Sequence, residues 1–346
     1  MTPAELSRTV LRSVRGAVED QELSVPVPAR IVVRPPKRPG SGDYASSVAL
    51  QLAGPAGRPA REVAEILRKR LAGSPGIDRV EIAGPGFLNF TLGDGALVDL
   101  VRQILRQGAS FGARPPAMSP SGAVDHSVGV RPDARPRGAR ETVVAEALAR
   151  IDATVGSAGG QAPGRDGSDE LDGLVARLGS DEARWALLRP AAHDPVRVPE
   201  RPVQREGNPR FLVQYAYARV RALVRNADDL GFASRPGQVL GNEPGAGSAT
   251  RPAAVRDLLR DLHSLLATYP SAIEVAARLR APDRVVRHLE ATAEAFFRWH
   301  DVCPPLPVGE QKPLAVHRAR LALAEAAGTV LANGLRLLGI SAPEHL

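Results

Sequence analysis

Apolar side chains recur at helical spacing over residues 4–19, where Leu6, Val10, Leu11, Val14 and Val18 make one stripe. Ile31-Val32-Val33 is a short β-rich run stopped by Pro35-Pro36. Asp43 is placed to cap a helix over Tyr44 to Leu52. Pro59 opens a second helix, Ala60 to Leu71, with Val63, Ile66, Leu67 and Leu71 on one face. Val80-Glu81-Ile82 and Phe87-Leu88-Asn89-Phe90 alternate in and out around the turn Gly84-Pro85-Gly86. A helix over 96–107 closes this stretch, so the pattern predicts an α+β domain at residues 1–107.

Periodicity then lapses. Residues 108–137 are rich in Pro and Gly and read as a linker, as does the Gly-rich stretch 156–168. Between and after them, helices are predicted over 139–155, 169–178 and 181–188, the last two broken at Gly179. Residues 108–207 thus form a connector with short helices. From Asn208 the pattern becomes long and helical: 211–230, then about 253–267, 270–280, 283–302 and 312–338, with a polar insertion at 233–251. The expected fold is an α+β domain followed by an all-α helical bundle at residues 208–346, without a Rossmann sheet.

Composition narrows the chemistry. Of 45 basic residues only Lys37, Lys69 and Lys312 are lysine. Basic and acidic side chains number 13 and 10 in residues 1–94, 15 and 15 in 95–207, and 17 and 13 in 208–346. The positive excess therefore sits at the two ends, which suits two basic modules gripping one extended polyanion. A lone cysteine, Cys303, excludes an internal disulfide framework and reads as a structural thiol. No apolar run approaches the ~18 residues of a membrane span, and the N-terminus lacks a secretory core, so a cytoplasmic protein without a membrane partner is expected. P-loop, G-x-G-x-x-G, G-x-S-x-G and H-E-x-x-H patterns are missing, and no two histidines lie within four residues of each other. Neither catalytic nor metal-ligating residues are expected.

Three parts of the chain, the first of them in three stretches, resemble one family. GDYASSVAL at 42–50, Ala60-Arg61-Glu62-Val63-Ala64 and GPGFLNFTL at 84–92 are similar to the N-terminal additional domain of bacterial arginyl-tRNA synthetases. GNPRFLVQYAYAR at 207–219 and RARLALAEAAGTVLANGLRLLGISAPEHL at 318–346 resemble the opening and the end of that family's anticodon-binding bundle, named for a D-A-L-R motif.

The resemblance also shows what is missing. The family is a class I synthetase with a Rossmann-type catalytic sheet, an H-x-G-H motif and a K-M-S-K loop. Residues 138–150 resemble the helix after the first motif, which puts the motif on Arg135-Pro136-Arg137-Gly138 without either histidine. Using His126 instead gives only His126-Ser127-Val128-Gly129. Leu171 to Val175, Gly179 and Ala183-Arg184-Trp185 resemble the helices after the second motif, which then falls on Gly160-Gln161-Ala162-Pro163. No lysine occurs in residues 70–311. A doubly wound sheet needs βαβ units of over ~30 residues each, and the interval between the remnants cannot house them.

The resemblance implies a tRNA partner, of the arginine isoacceptors in the parent family. Gln214, Tyr215, Tyr217, Arg219, Arg298, Trp299, His300 and Arg318 are the residues it places on the anticodon side. Tyr44, Phe87, Asn89 and Phe90 are those it places at the tRNA elbow. Arg219, Arg225, Arg298, Lys312 and Arg318 are expected to include the residues lining a concave positive surface. Phe87 and Phe90, three apart on a strand, face opposite ways, one toward the core and the other free to stack on a base. Tyr217, His300 and Leu346 depart from the family's histidine, tyrosine and methionine, which bears on anticodon specificity. Three readings follow: a tRNA-binding protein without its own aminoacylation activity that presents tRNA to another enzyme, a protein-interaction scaffold that has lost RNA binding, or residual or complemented arginine–tRNA ligase activity. Only the third needs ATP; the others need no cofactor.

Overall fold

The computed structural model describes residues 1–36, 41–113, 138–156, 168–201, 207–240 and 250–346. The predicted linkers at 108–137 and 156–168 lie largely outside them, as do residues 135–137 and 160–163 and His126, onto which the family motifs would map. The chain divides into two compact units. One comprises Met1–Arg106, Asn226–Thr268 and Arg298–Ala326, the other Gln107–Arg225, Tyr269–Phe297 and Ala327–Leu346.

The first unit opens with α1 (Pro3–Glu19), started by a capping box in which Glu5 N donates to Thr2 Oγ1 at 3.3 Å and Thr2 N to Glu5 Oε2 at 2.7 Å. Then come β1 (Val33–Arg34), β2 (Tyr44–Ser46), α2 (Val48–Ala56), α3 (Ala60–Leu71), β3 (Ile77–Ala83), β4 (Phe87–Leu92) and α4 (Asp94–Gln107). The strands form one antiparallel sheet in the order β1-β2-β4-β3. Tyr44 pairs with Phe90, and Phe90 with Val80; these three and Leu88 share the buried face and pack in one core with α1, α2 and α3.

Residues 44–46 are therefore strand, not the first turn of a helix. Asp43 caps nothing: its Oδ2 accepts Leu92 N at 2.6 Å and its own N–H donates to Phe90 O at 2.7 Å. Gly42 makes that approach possible. Its φ is +92°, and a Cβ there would stand 2.7 Å from Phe90 O.

In the second unit α5 (Ala139–Val155), α6 (Ser168–Leu178) and α7 (Ser180–Leu188) pack on one another, and Gly179 at φ +81° breaks the last two. All regular structure among the described residues of 138–201 is helical. Arg280 Nη1 holds the buried Asp152 carboxylate through contacts of 2.8 and 2.6 Å. Arg140 ties down the following loop by donating to the carbonyls of Pro190, Ala191 and Asp194.

Among the described residues, four long helices complete the chain: α8 (Pro209–Asp229), α9 (Thr250–Leu279), α10 (Asp283–Val302) and α11 (Ala315–Leu338). Two predicted helices are thus one, because α9 runs through Pro270. An interior proline costs about 3 kcal/mol. Leu262, Leu266, Tyr269 and Ile273 are each buried along α9, and each such side chain contributes about 1.5–3 kcal/mol, so burial wins. The expectation about apolar runs also needs correction. Helix α11 is long and apolar enough to cross a membrane, with mean hydropathy 1.3, but 78% of that stretch is buried inside the protein. Its apolar surface is used in packing.

Candidate nucleic-acid interface

Helix α8 starts where Asn208 Oδ1 accepts Arg210 N at 3.0 Å and Pro209 supplies the first helical residue. Val213, Ala216, Val220 and Leu223 are buried along it, while Phe211, Tyr215 and Arg219 follow one another at four-residue spacing on another face. The Phe211 and Tyr215 rings stack with centroids 5.8 Å apart and planes 6° from parallel. Tyr215 stacks in turn on Phe297 of α10 at 5.4 Å, and Phe297 meets Phe296 edge-on. Tyr215 keeps 36% of its surface exposed, Arg219 is exposed one turn on, and Tyr217 is half-buried. The result is a supported aromatic surface beside a cation, a combination that accepts a nucleobase and its phosphate.

Gln214 does not join that surface. It is 1% exposed, and its Nε2 donates to Asp181 Oδ2 at 2.8 Å and to Ser341 O at 2.9 Å. Its Oε1 accepts from Arg210 Nη1, and Arg210 Nε pairs with Glu182 Oε2 at 2.6 Å, both side chains less than a tenth exposed. Asn208 Nδ2 donates to the same carboxylate at 2.8 Å. Gln214 thus serves a buried polar network that fastens α7, α8 and the C-terminal segment, with no group left for a ligand. The sequence carries half a signal for it, because Arg210 and Gln214 stand at i and i+4. Their partners Glu182, Asp181 and Ser341 are remote in the chain.

The first unit holds the other expected anticodon-side residues. Trp299 is fully buried and His300 only 13% exposed, its Nδ1 3.7 Å from Asp301 Oδ1. Trp299 is core and cannot offer its ring to a base. Arg298 is 56% exposed, with Asp261 Oδ2 at 3.8 Å. Arg318 is committed: its guanidinium carbon lies 5.5 Å from the Phe232 ring centroid, and Nη1 donates to Ala233 O at 3.2 Å. Lys312 is exposed. The basic residues expected on one concave surface are divided between the units, with Arg219 and Arg225 in one and Arg298, Lys312 and Arg318 in the other.

The sheet separates the four residues expected at the tRNA elbow by face. Tyr44 and Phe90 are wholly buried in the core, which withdraws both from any contact. Phe87 and Asn89, two apart, point to the opposite face; Phe87 is 39% exposed at the tip beside Gly86, and Asn89 is 9% exposed. Gly86 has φ +144°, and a Cβ on it would meet Ala60 O at 2.9 Å, so the turn lies close against α3.

Among the described residues, no group of three or more His, Cys, Asp or Glu side chains is placed to hold a metal ion. Burial pushes the Cys303 thiol up, partly offset by Arg320, so it stays protonated at neutral pH. What the arrangement offers is stacking and charge.

Comparison with known proteins gives the following. Residues 7–92 match the arginyl tRNA synthetase N terminal domain, and residues 213–346 the DALR anticodon binding domain. The arginine–tRNA ligase of Frankia alni is 28% identical over an alignment of 569 positions that takes in all of both chains. That of Pseudarthrobacter chlorophenolicus is 43% identical over 179 residues, 51% of this chain and 31% of the relative, so the match spans about a third of its length. Thermus thermophilus arginyl-tRNA synthetase aligns over the whole of both chains with TM-score 0.52 at 16% identity, a likeness of fold.

Proposed function

The chain is arginyl-tRNA synthetase-like, and from that premise we propose that it is a tRNA-binding relative without aminoacylation activity of its own. The observation that carries the reading is what lies between the two domain matches. Among the described residues from 93 to 212, every regular element is helical. The alignment with the Frankia alni relative runs to 569 positions against the 346 residues of this chain, which agrees with a reading in which the interval between the matches is shortened. Adenylate formation requires cations held against ATP phosphates, and the chain has no lysine from 70 to 311 to serve a K-M-S-K loop.

The surface formed by Phe211, Tyr215, Phe297 and Arg219 then receives an unpaired base with its phosphate, while Phe87 contacts the RNA at the other end of the chain. A protein that holds tRNA without charging it presents it to another enzyme, in the cytoplasm, with an arginine isoacceptor as the natural candidate. The test has two arms. Filter binding of the full chain to bulk tRNA at fixed salt, with sequencing of co-purified RNA, should give tRNA. Arginine-dependent ATP–pyrophosphate exchange should stay at the level of the blank. Exchange above it would overturn the non-catalytic part, and absence of tRNA binding the rest.

A further inference from the structure

We infer that Arg221 and Arg225 of α8 form a phosphate-binding pair that the chain's own Glu344 occupies until an RNA phosphate displaces it. The inference rests on the tRNA-binding reading above. The two arginines stand at i and i+4, so their side chains share a face of the helix. Both turn to the C-terminal tail. Glu344 Oε1 lies 3.2 Å from Arg221 Nε, and Arg225 Nη2 lies 3.4 Å from both the Glu344 carbonyl oxygen and His345 Nδ1.

The tail fills this place poorly. The Arg221–Glu344 contact is an ion pair without hydrogen-bond geometry, because Nε, although buried, has no hydrogen-bond partner. Arg225 Nη1 is likewise buried and without one. Each guanidinium therefore has an unmet donor, and the one carboxylate in contact with the pair meets Arg221 alone, while Arg225 has only a carbonyl and an imidazole. A phosphodiester supplies oxygens on a tetrahedral centre that can accept from both forks at once. Binding it also releases counterions from the RNA, a gain that a tethered carboxylate does not share.

The tail is built to yield. Its root is fixed: Ser341 N donates to Asp181 Oδ1 at 3.1 Å, Ser341 Oγ donates to Asp181 Oδ2, and Ser341 O accepts from Gln214. Beyond Pro343, Glu344, His345 and Leu346 are exposed, and Glu344 keeps half its side-chain surface in solvent. A half-exposed ion pair is weak and screened by salt. Because it is tethered, Glu344 competes well with isolated small anions but poorly with a polyanion, which makes the pair selective for nucleic acid.

The experiment compares full-length wild type, Glu344→Gln, the double variant Arg221→Gln/Arg225→Gln and the triple combination. It reads tRNA affinity at several salt concentrations, with melting temperature as the folding control. Glu344→Gln, on an exposed end, should tighten binding about two- to fivefold. The double arginine variant should weaken it and lower the slope of log K against log salt by about two. In that background Glu344→Gln should add nothing. A Glu344→Gln variant that melts like wild type and binds tRNA no more tightly overturns the inference. Should wild type bind no tRNA, the tRNA reading fails by itself, and the pair is judged with inorganic tripolyphosphate. The same order of affinities must then appear, and equal affinities overturn it.

Discussion

At the scale of single residues, Tyr215 joins support to exposure: Phe211 and Phe297 hold its ring while a third of it meets solvent. Replacing it with alanine should weaken tRNA binding by about 1–3 kcal/mol, while phenylalanine, which keeps the stack, should bind nearly as wild type. Affinity measured at one salt concentration, with melting temperature alongside, checks both. His263 makes a different prediction. It is 6% exposed on α9, and burial first, then the N-terminal ammonium, push its imidazole from 6.5 down to about 3. Between those values the unfolded chain binds a proton that the folded chain refuses. Stability is therefore whole above about pH 6.5 and falls as pH drops, by up to about 1 kcal/mol per pH unit. Burial also raises the Asp43 carboxyl, an effect of opposite sign, and lowers the N-terminal ammonium, so between pH 6.5 and 5 the histidine is isolated by comparison with a variant that lacks it. Denaturant titrations across that range should show the slope in wild type and its loss in His263→Leu. Such residue-level facts are unevenly legible in the sequence. The two-residue period of a strand is enough to set Phe87 and Phe90 on opposite faces. For Gln214 the only local hint is Arg210 four residues earlier, because its other partners Asp181 and Ser341 are 33 and 127 positions away.

Elements read more easily where apolar spacing sets them. Helices α1, α3, α5 and the β3–β4 hairpin follow from period and turn chemistry. Tyr44–Ser46 could not, because Asp before an apolar run looks like a helix cap, and the competing strand partner, Phe90, is set by tertiary pairing. Pro270 misled in the same way: a local breaker was outvoted by buried neighbours on both sides. The joint between α7 and α8 is the element-scale feature that the sequence hides. Its Arg210–Glu182 pair is buried, so removing one partner leaves a charge stranded in a low dielectric. Glu182→Ala alone, or Arg210→Met alone, should cost about 3–5 kcal/mol in urea denaturation. Glu182→Leu combined with Arg210→Met should cost much less than the sum of the single changes, which a double-mutant cycle would reveal.

For the whole molecule, each of the two compact units is assembled from three separate stretches of chain. Each of α8, α9, α10 and α11 begins in one unit and ends in the other. A helix does not melt by halves without losing its hydrogen-bond ladder, so the units should unfold in a single transition. The chain carries its own means of seeing this. It has two tryptophans, and both are buried: Trp185 in the unit with α7, and Trp299 in the unit with the sheet. Each indole is an optical probe of its own unit, emitting toward the blue while packed and shifting to the red when water reaches it. With Trp185→Phe and Trp299→Phe made separately, the remaining fluorescence reports one unit at a time. The two emission curves against urea should superimpose at the same midpoint, and midpoints that part company would show two structures melting independently along one chain.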